Sequence, residues 1–257
     1  MSRYAMITGA SSGLGLALAE ALARRGRNLI LVARQRDALE AIASEFTQRF
    51  GVEVLFRACD LGEPLRLSGF LLELEEGERQ IDLLVNCAAV RSYGHFLAQD
   101  WGQEQDLIEL NILALTRLCH ALGNAMAVNG GGQILNVASL AGFQPGPWMS
   151  SYSASKAYVL HFSEGLREEL KQTGVKVSVL CPGPVRSPAR RVARLENSTR
   201  SQSPEQVALY TVRALARNKA IIIPGRRNRL LANLARFGSR WLVRKVAGAI
   251  NKAYRPA

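Results

Sequence analysis

The chain has 257 residues, 48% of them hydrophobic, enough for one α/β domain with a sizeable core. No uninterrupted apolar stretch reaches membrane-spanning length, and nothing at the amino terminus reads as a signal peptide, because a glycine turn begins by residue 8. The net charge of +12 sits at one end: the 21 acidic residues lie at or before Glu205 among 21 of the 33 Lys and Arg, and the remaining 12 basic residues follow.

The first element is a short apolar run at residues 5–7, read as a buried strand. Thr8-Gly9-Ala10-Ser11-Ser12-Gly13-Leu14-Gly15 follows, then an amphipathic segment from Leu16 to Arg25 and a second apolar run, Leu29 to Val32. Strand, glycine turn, helix and strand within about 30 residues is the context of a dinucleotide fingerprint. Glycines let the backbone approach a pyrophosphate, whose charge sits at the N-terminus of the following helix. After the second strand come Arg34-Gln35-Arg36, with no acid before Asp37. An acid there would bond the ribose 2′-OH of NAD, whereas guanidiniums favour the 2′-phosphate of NADP(H). The plainer reading is that both arginines end a strand in solvent.

Further apolar runs at Val52 to Phe56, Ile81 to Val85, Ile134 to Val137 and Val175 to Leu180 predict four more strands. Between the last two lies Tyr152-Ser-Ala-Ser-Lys156, with Ser139 thirteen residues before the tyrosine. Residues four apart on a helix share one face. The ammonium can therefore favour the phenolate, and a nearby hydroxyl can polarise a carbonyl, a combination suited to acid/base work during hydride transfer.

These motifs, in this order, resemble the classical short-chain dehydrogenases/reductases over roughly residues 4–225. The resemblance implies a single-domain, doubly wound parallel sheet of about seven strands (a Rossmann fold), with residues 226–257 as a basic helical extension. It implies catalytic roles for Asn111, Ser139, Tyr152 and Lys156. Tyr152 would be the proton donor or acceptor, Lys156 would lower its pKa and hold the nicotinamide ribose, Ser139 would orient the carbonyl, and Asn111 would fix a water in a proton relay. It further implies that Gly9, Ser11, Ser12, Gly13, Leu14 and Gly15 line the phosphates. Asp60 and Leu61 would contact the adenine, Asn86 and Ala88, in the turn after the fourth strand, would contact the cofactor, and Pro182, Gly183, Val185 and Ser187 would meet the nicotinamide. That fourth-strand turn reads Asn86-Cys87-Ala88-Ala89 where the family usually has Asn-Asn-Ala-Gly, and Ala89 cannot adopt positive φ cheaply.

The substrate should be read by residues 91–96, 142–151 and 186–203. Phe143, Pro145, Trp148 and Met149 make one wall apolar, which favours a hydrophobic carbonyl or alcohol of acyl, steroid-like or other lipid-like kind. The expected activity is NADP(H)-dependent interconversion of carbonyl and alcohol. The alternative is a non-catalytic dinucleotide-binding sensor or membrane-surface protein that keeps the fold. A homo-oligomer is expected.

Cys59, Cys87, Cys119 and Cys181 have no metal-ligand spacing and read as free thiols in a reducing cytoplasm. From Leu230 onward, Leu231, Leu234, Phe237, Trp241, Leu242, Val246, Ile250 and Tyr254 recur at helical spacing among basic residues, with breaks expected near Gly238 or Gly248. This segment could lie on an anionic membrane, meet an acidic carrier protein, cover the substrate cleft or form a dimer contact. No nucleic-acid motif accompanies it.

Overall fold

Strands buried on both faces read as continuous apolar runs, and the chain folds around them. In the computed structural model, which describes residues 2–77, 79–186 and 201–253, seven parallel strands form one sheet in the order β3-β2-β1-β4-β5-β6-β7. They are β1 (Arg3–Thr8), β2 (Asn28–Ala33), β3 (Val54–Ala58), β4 (Gln80–Asn86), β5 (Gly132–Val137), β6 (Val175–Leu180) and β7 (Ile221–Ile222). The order reverses between β1 and β4. In such a sheet that switch opens a crevice at the strands' carboxyl ends, where ligands bind.

Helices pack on both faces: α1 (Gly13–Ala23), α2 (Arg36–Phe50) and α3 (Pro64–Glu76) from the first half, then α4 (Trp101–Ile108) and α5 (Leu115–Val128), α6 (Ser150–Glu169) and α7 (Pro204–Ala216). Two hydrophobic cores result. One gathers Leu18, Leu29, Leu31, Val85, Leu135 and Val207, with α1 against α7. The other gathers Met6, Leu84, Leu118, Ile134, Val159 and Val177, beneath α5 and α6. Each sheet residue therefore alternates between two dry layers, which fixes the register.

The six apolar runs correspond to β1 to β6, with ends moved by a residue or two. Strand β7, the seventh that the resemblance implied, has no counterpart among the apolar runs. Two residues are too short for a periodic signal, and its place is set by pairing with Val179 and Leu180. Helix α1 begins at Gly13, three residues before the amphipathic stretch, because Ser12 is its extended N-cap and the turn glycines form its first coil.

Beyond β7 lie α8 (Arg226–Phe237) and α9 (Arg240–Ala253), broken at Gly238 and not at Gly248. Gly248 stays inside α9 and faces Pro147. Tyr254 lies outside the described residues. No helix among the described residues is long and apolar enough to cross a membrane.

Candidate active site

The nucleotide end is built from three strand ends. Thr8 closes β1, and its hydroxyl accepts the backbone N–H groups of Cys87 and Ala88, each at 3.0 Å, pinning the turn after β4 beside the glycine turn. Gly9 has φ +68°, and a Cβ there would stand 2.9 Å from the Ala88 Cα. At Gly15 a Cβ would stand 2.1 Å from the Gly9 carbonyl oxygen, so the turn closes onto α1 only because both side chains are missing. Ala89 is not among the residues with positive φ, so replacing the family's glycine distorts nothing in this turn.

The first turn of α1 carries no acidic residue, and the Ser12 side chain does not cap it. Its N–H groups are therefore available to an anion. At the adenosine side the Ser11 hydroxyl donates to Gln35 Oε1 at 2.9 Å. Arg34, 64% exposed, reaches Asp60 at 3.7 Å, while the Arg36 guanidinium lies 5.6 Å from the Phe56 ring centre. Asp60 also accepts the Gly62 N–H at 3.0 Å. Arg34 and Asp60 thus share one rim of the crevice, whereas Leu61 is buried in the core. The residues fit a dinucleotide whose adenosine end carries extra negative charge, with Arg34 as its exposed cation.

The Asn86 side chain lies within the sheet. Its side chain donates to Asn136 Oδ1 at 2.9 Å, and Asn136 donates to the Ser163 hydroxyl at 3.0 Å, forming a buried polar tie between β4, β5 and α6. On the nicotinamide side, the Pro182 carbonyl accepts the Leu140 N–H at 3.0 Å, so the turn after β6 lies against the segment that follows Ser139. Gly183 abuts Asn228 of α8, and Val185 bridges to Gln202. Ser187 and residues 187–200 of the expected lid lie outside the described residues.

Tyr152, Lys156 and Ser139 converge on the crevice. Tyr152 and Lys156 occupy the first turns of α6, both buried, with the ammonium 5.8 Å from the phenol ring centre and donating to the Val137 carbonyl at 2.9 Å. Ser139, at the end of β5, accepts the Ala141 N–H at 3.1 Å, and its hydroxyl favours the ionised Tyr152 phenol. Burial alone raises a phenol's pKa. Here Arg91, then Lys156, then the bond with Ser139 outweigh it and bring Tyr152 below its ordinary value. Burial also holds the Lys156 ammonium below its usual range, with the Tyr152 phenolate pulling the other way. Cys87, beside this lysine, is pushed up to about 11 by burial and stays a neutral thiol near neutral pH.

Arg91 is the participant that sequence reasoning missed. Its guanidinium stands 5.5 Å from the Tyr152 ring centre. What brings it there is Asn111, in a π-helical turn (Glu109–Ala114) between α4 and α5. The Asn111 side chain accepts the Val90 N–H at 3.0 Å and donates to the Val90 carbonyl at 2.9 Å, a two-point clamp on the residue before Arg91. It also donates to Ser155 Oγ at 3.1 Å, tying the clamp to α6. Such π-turns cluster at functional sites, where they re-aim one side chain.

Two of the expected substrate loops meet above this group. Gly94 N–H donates to the Trp148 carbonyl at 2.8 Å, and the His95 and Trp148 rings stand edge-on at 5.9 Å. Trp148 takes φ +70°, a strained value for a bulky residue and one found preferentially at functional sites.

A family model described as short chain dehydrogenase matches residues 3–198. The chain belongs to the short-chain dehydrogenase family. Among curated members, a ketoacyl reductase, HetN, from a Nostoc species is 30% identical over 228 residues, covering 89% of this chain and 77% of its own. A very-long-chain 3-oxoacyl-CoA reductase from Anas platyrhynchos is 34% identical over 186 residues, which span 71% of this chain but only 59% of the duck protein. Among solved structures, a short-chain dehydrogenase from Sphingobium yanoikuyae in complex with NADPH is 32% identical with a TM-score of 0.82, covering 98% of this chain and 95% of that one. A bulky-bulky ketone specific alcohol dehydrogenase from Comamonas testosteroni is 30% identical with a TM-score of 0.80, covering 93% of each chain. The family's parallel seven-stranded fold is thus the fold of this chain, as its motifs implied.

Proposed function

We propose that this protein is an NADP(H)-dependent reductase and dehydrogenase that interconverts a hydrophobic ketone and its secondary alcohol. The observation that carries the reading is a buried tyrosine whose phenol is brought below its ordinary pKa by two cations and a serine hydroxyl, at the carboxyl end of a switch-point crevice. Membership of the family and the NADPH held by the Sphingobium structure support the cofactor, and Arg34 at the adenosine rim is the group placed to pair its 2′-phosphate. When bound, the nicotinamide supplies or accepts the hydride.

In the reducing direction, Ser139 and Tyr152 hold the carbonyl oxygen by two hydrogen bonds. The Tyr152 O–H gives up its proton as negative charge grows on that oxygen. Lys156 and Arg91 stabilise the resulting phenolate, and Lys156 also holds the nicotinamide ribose. Asn111 belongs to the proton path through its hold on the Val90 segment, with a water passing the proton toward Lys156. In the oxidising direction the same phenolate removes the alcohol proton. Phe143, Pro145, Trp148 and Met149, in the loop after Ser139, supply apolar surface, which favours a lipid-like or bulky ketone over a short polar one. Self-association through the exposed Leu97, Trp101 and Leu113 near α4 completes the reading.

The test is a panel of aliphatic, aromatic, steroid and acyl-thioester ketones, with NADPH and NADH absorbance followed separately. NADPH oxidation with at least one apolar ketone is expected. NADPH binding without turnover across the panel would replace this reading with that of a dinucleotide-binding sensor.

A further inference from the structure

A helix on the surface of a globular protein buries its large apolar residues and shows its small or charged ones. Helices α8 and α9 do the reverse. The residues they turn toward the body are Asn228, Ala232, Ala247 and Asn251. Asn228 donates to Gln202 Oε1 at 3.0 Å, and Asn251 donates to the Pro147 carbonyl at 2.9 Å while its own carbonyl accepts the Tyr93 O–H at 2.5 Å. Small and amide side chains therefore seat both helices on the rim of the crevice.

The large apolar residues face out. Leu230, Leu231, Leu234 and Phe237 of α8 and Trp241, Leu242, Val246 and Ile250 of α9 are each at least half exposed, Phe237 at 81% and Trp241 at 61%. They stand on the solvent side of both helices, on either side of the break at Gly238. Exposed apolar surface of this kind marks an interaction site. This orientation also decides one question left open by the sequence: the stripe does not close over the cleft.

Charge selects the occupant. Between residues 226 and 253 there are eight Lys and Arg and no Asp or Glu. A second copy seated here would set this cationic face against itself, since a two-fold contact uses the same patch on both subunits. An anionic lipid surface satisfies both halves of the composition: the apolar stripe enters the acyl boundary and the flanking cations meet the headgroups. Trp241, at the stripe's edge, suits the interfacial level. We infer that α8 and α9 dock this protein on an anionic membrane surface through the Leu230-to-Ile250 stripe.

The test is co-sedimentation of the full chain with phosphatidylcholine vesicles, with and without phosphatidylglycerol, at low and high salt. Binding at least about tenfold tighter to the anionic vesicles, weakening as salt rises, is expected. Leu234→Gln combined with Phe237→Gln should weaken that binding at least about tenfold, with the thermal melt unchanged. Brominated lipids should quench Trp241, and Trp241→Phe should remove most of that quenching while the protein still binds. No sedimentation with anionic vesicles at low salt overturns the inference, as does equal binding to neutral ones. Self-association that the double variant abolishes, without vesicle binding, assigns the face to a second copy instead.

Discussion

The two ends of this chain put the same kinds of side chain to opposite uses. In the crevice, a lysine, a tyrosine and an asparagine are buried against named neighbours: Lys156 on the Val137 carbonyl, Asn111 on Val90, and Tyr152 between Arg91 and Lys156. In α8 and α9, leucines, a phenylalanine and a tryptophan stand in solvent while alanines are buried. Polar groups leave water only where the fold supplies their bonds, and large apolar groups stay in water only where something outside the fold covers them. The first region uses its polar groups in bonds inside the fold, and the second leaves its apolar groups to whatever meets them from outside. Stability and chemistry should therefore respond to the first, and location to the second.

The largest expected effect breaks the first region. Tyr152→Phe removes the proton while keeping the ring, and kcat should fall by about 10²–10⁴ with NADPH affinity retained. A variant that keeps more than a tenth of the activity would remove Tyr152 from the mechanism. Next in size is the adenosine rim. Arg34→Asp replaces the exposed cation and adds a second carboxylate beside Asp60, so the NADPH-to-NADH ratio of kcat/KM should fall by about 10- to 100-fold. An unchanged ratio would detach cofactor choice from Arg34.

A subtler variant separates the two cations at the phenol. Arg91→Ala leaves Lys156 in place but removes the first of the charges that lower the Tyr152 pKa. Alcohol oxidation needs the phenolate, so its rate rises with pH through that pKa, and its midpoint should move to higher pH in the variant. Asn111→Ala should move it the same way by a smaller amount, because it frees the loop and leaves the charge. A midpoint that stays put in both would leave the tuning of the phenol to Lys156 and Ser139.

Much of this was legible in the sequence, and the reasons differ by residue. Strands β1, β2 and β4 to β6 read as apolar runs because they are largely buried, whereas β3, at the sheet edge, is only half-buried; Tyr152 and Lys156 pair because four residues make about one helical turn. The role of Arg91 was not legible. It stands 61 residues before Tyr152, and only the Asn111 clamp, itself dependent on a π-turn, carries it there. The motif around Asn86 was legible, but the bond of its side chain to Asn136 inside the sheet was not, because the partner stands 50 residues away on β5. Periodicity also predicted the helices beyond Leu230, but not which face meets the body. That depends on the small residues Ala232 and Ala247 fitting a surface made by distant loops.

The smallest expected effect tests the comparison itself. Leu135, fully buried in β5, and Leu234, 58% exposed on α8, can each be cut back to alanine. The two substitutions remove the same atoms and differ only in what surrounded them. Leu135→Ala loses the burial of the side chain and leaves a cavity between two dry layers, which costs about 2–5 kcal/mol in urea unfolding. Leu234→Ala removes contacts that the isolated protein does not make, and alanine is the better helix former, so stability should stay within about 0.5 kcal/mol of the parent. A loss of several kcal/mol at Leu234 would mean that the outer stripe is already covered in solution, as in a dimer, and the two regions would no longer differ in kind. With no loss, the leucine contributes nothing to the fold on its own, and its stabilisation is realised only when the stripe meets a partner.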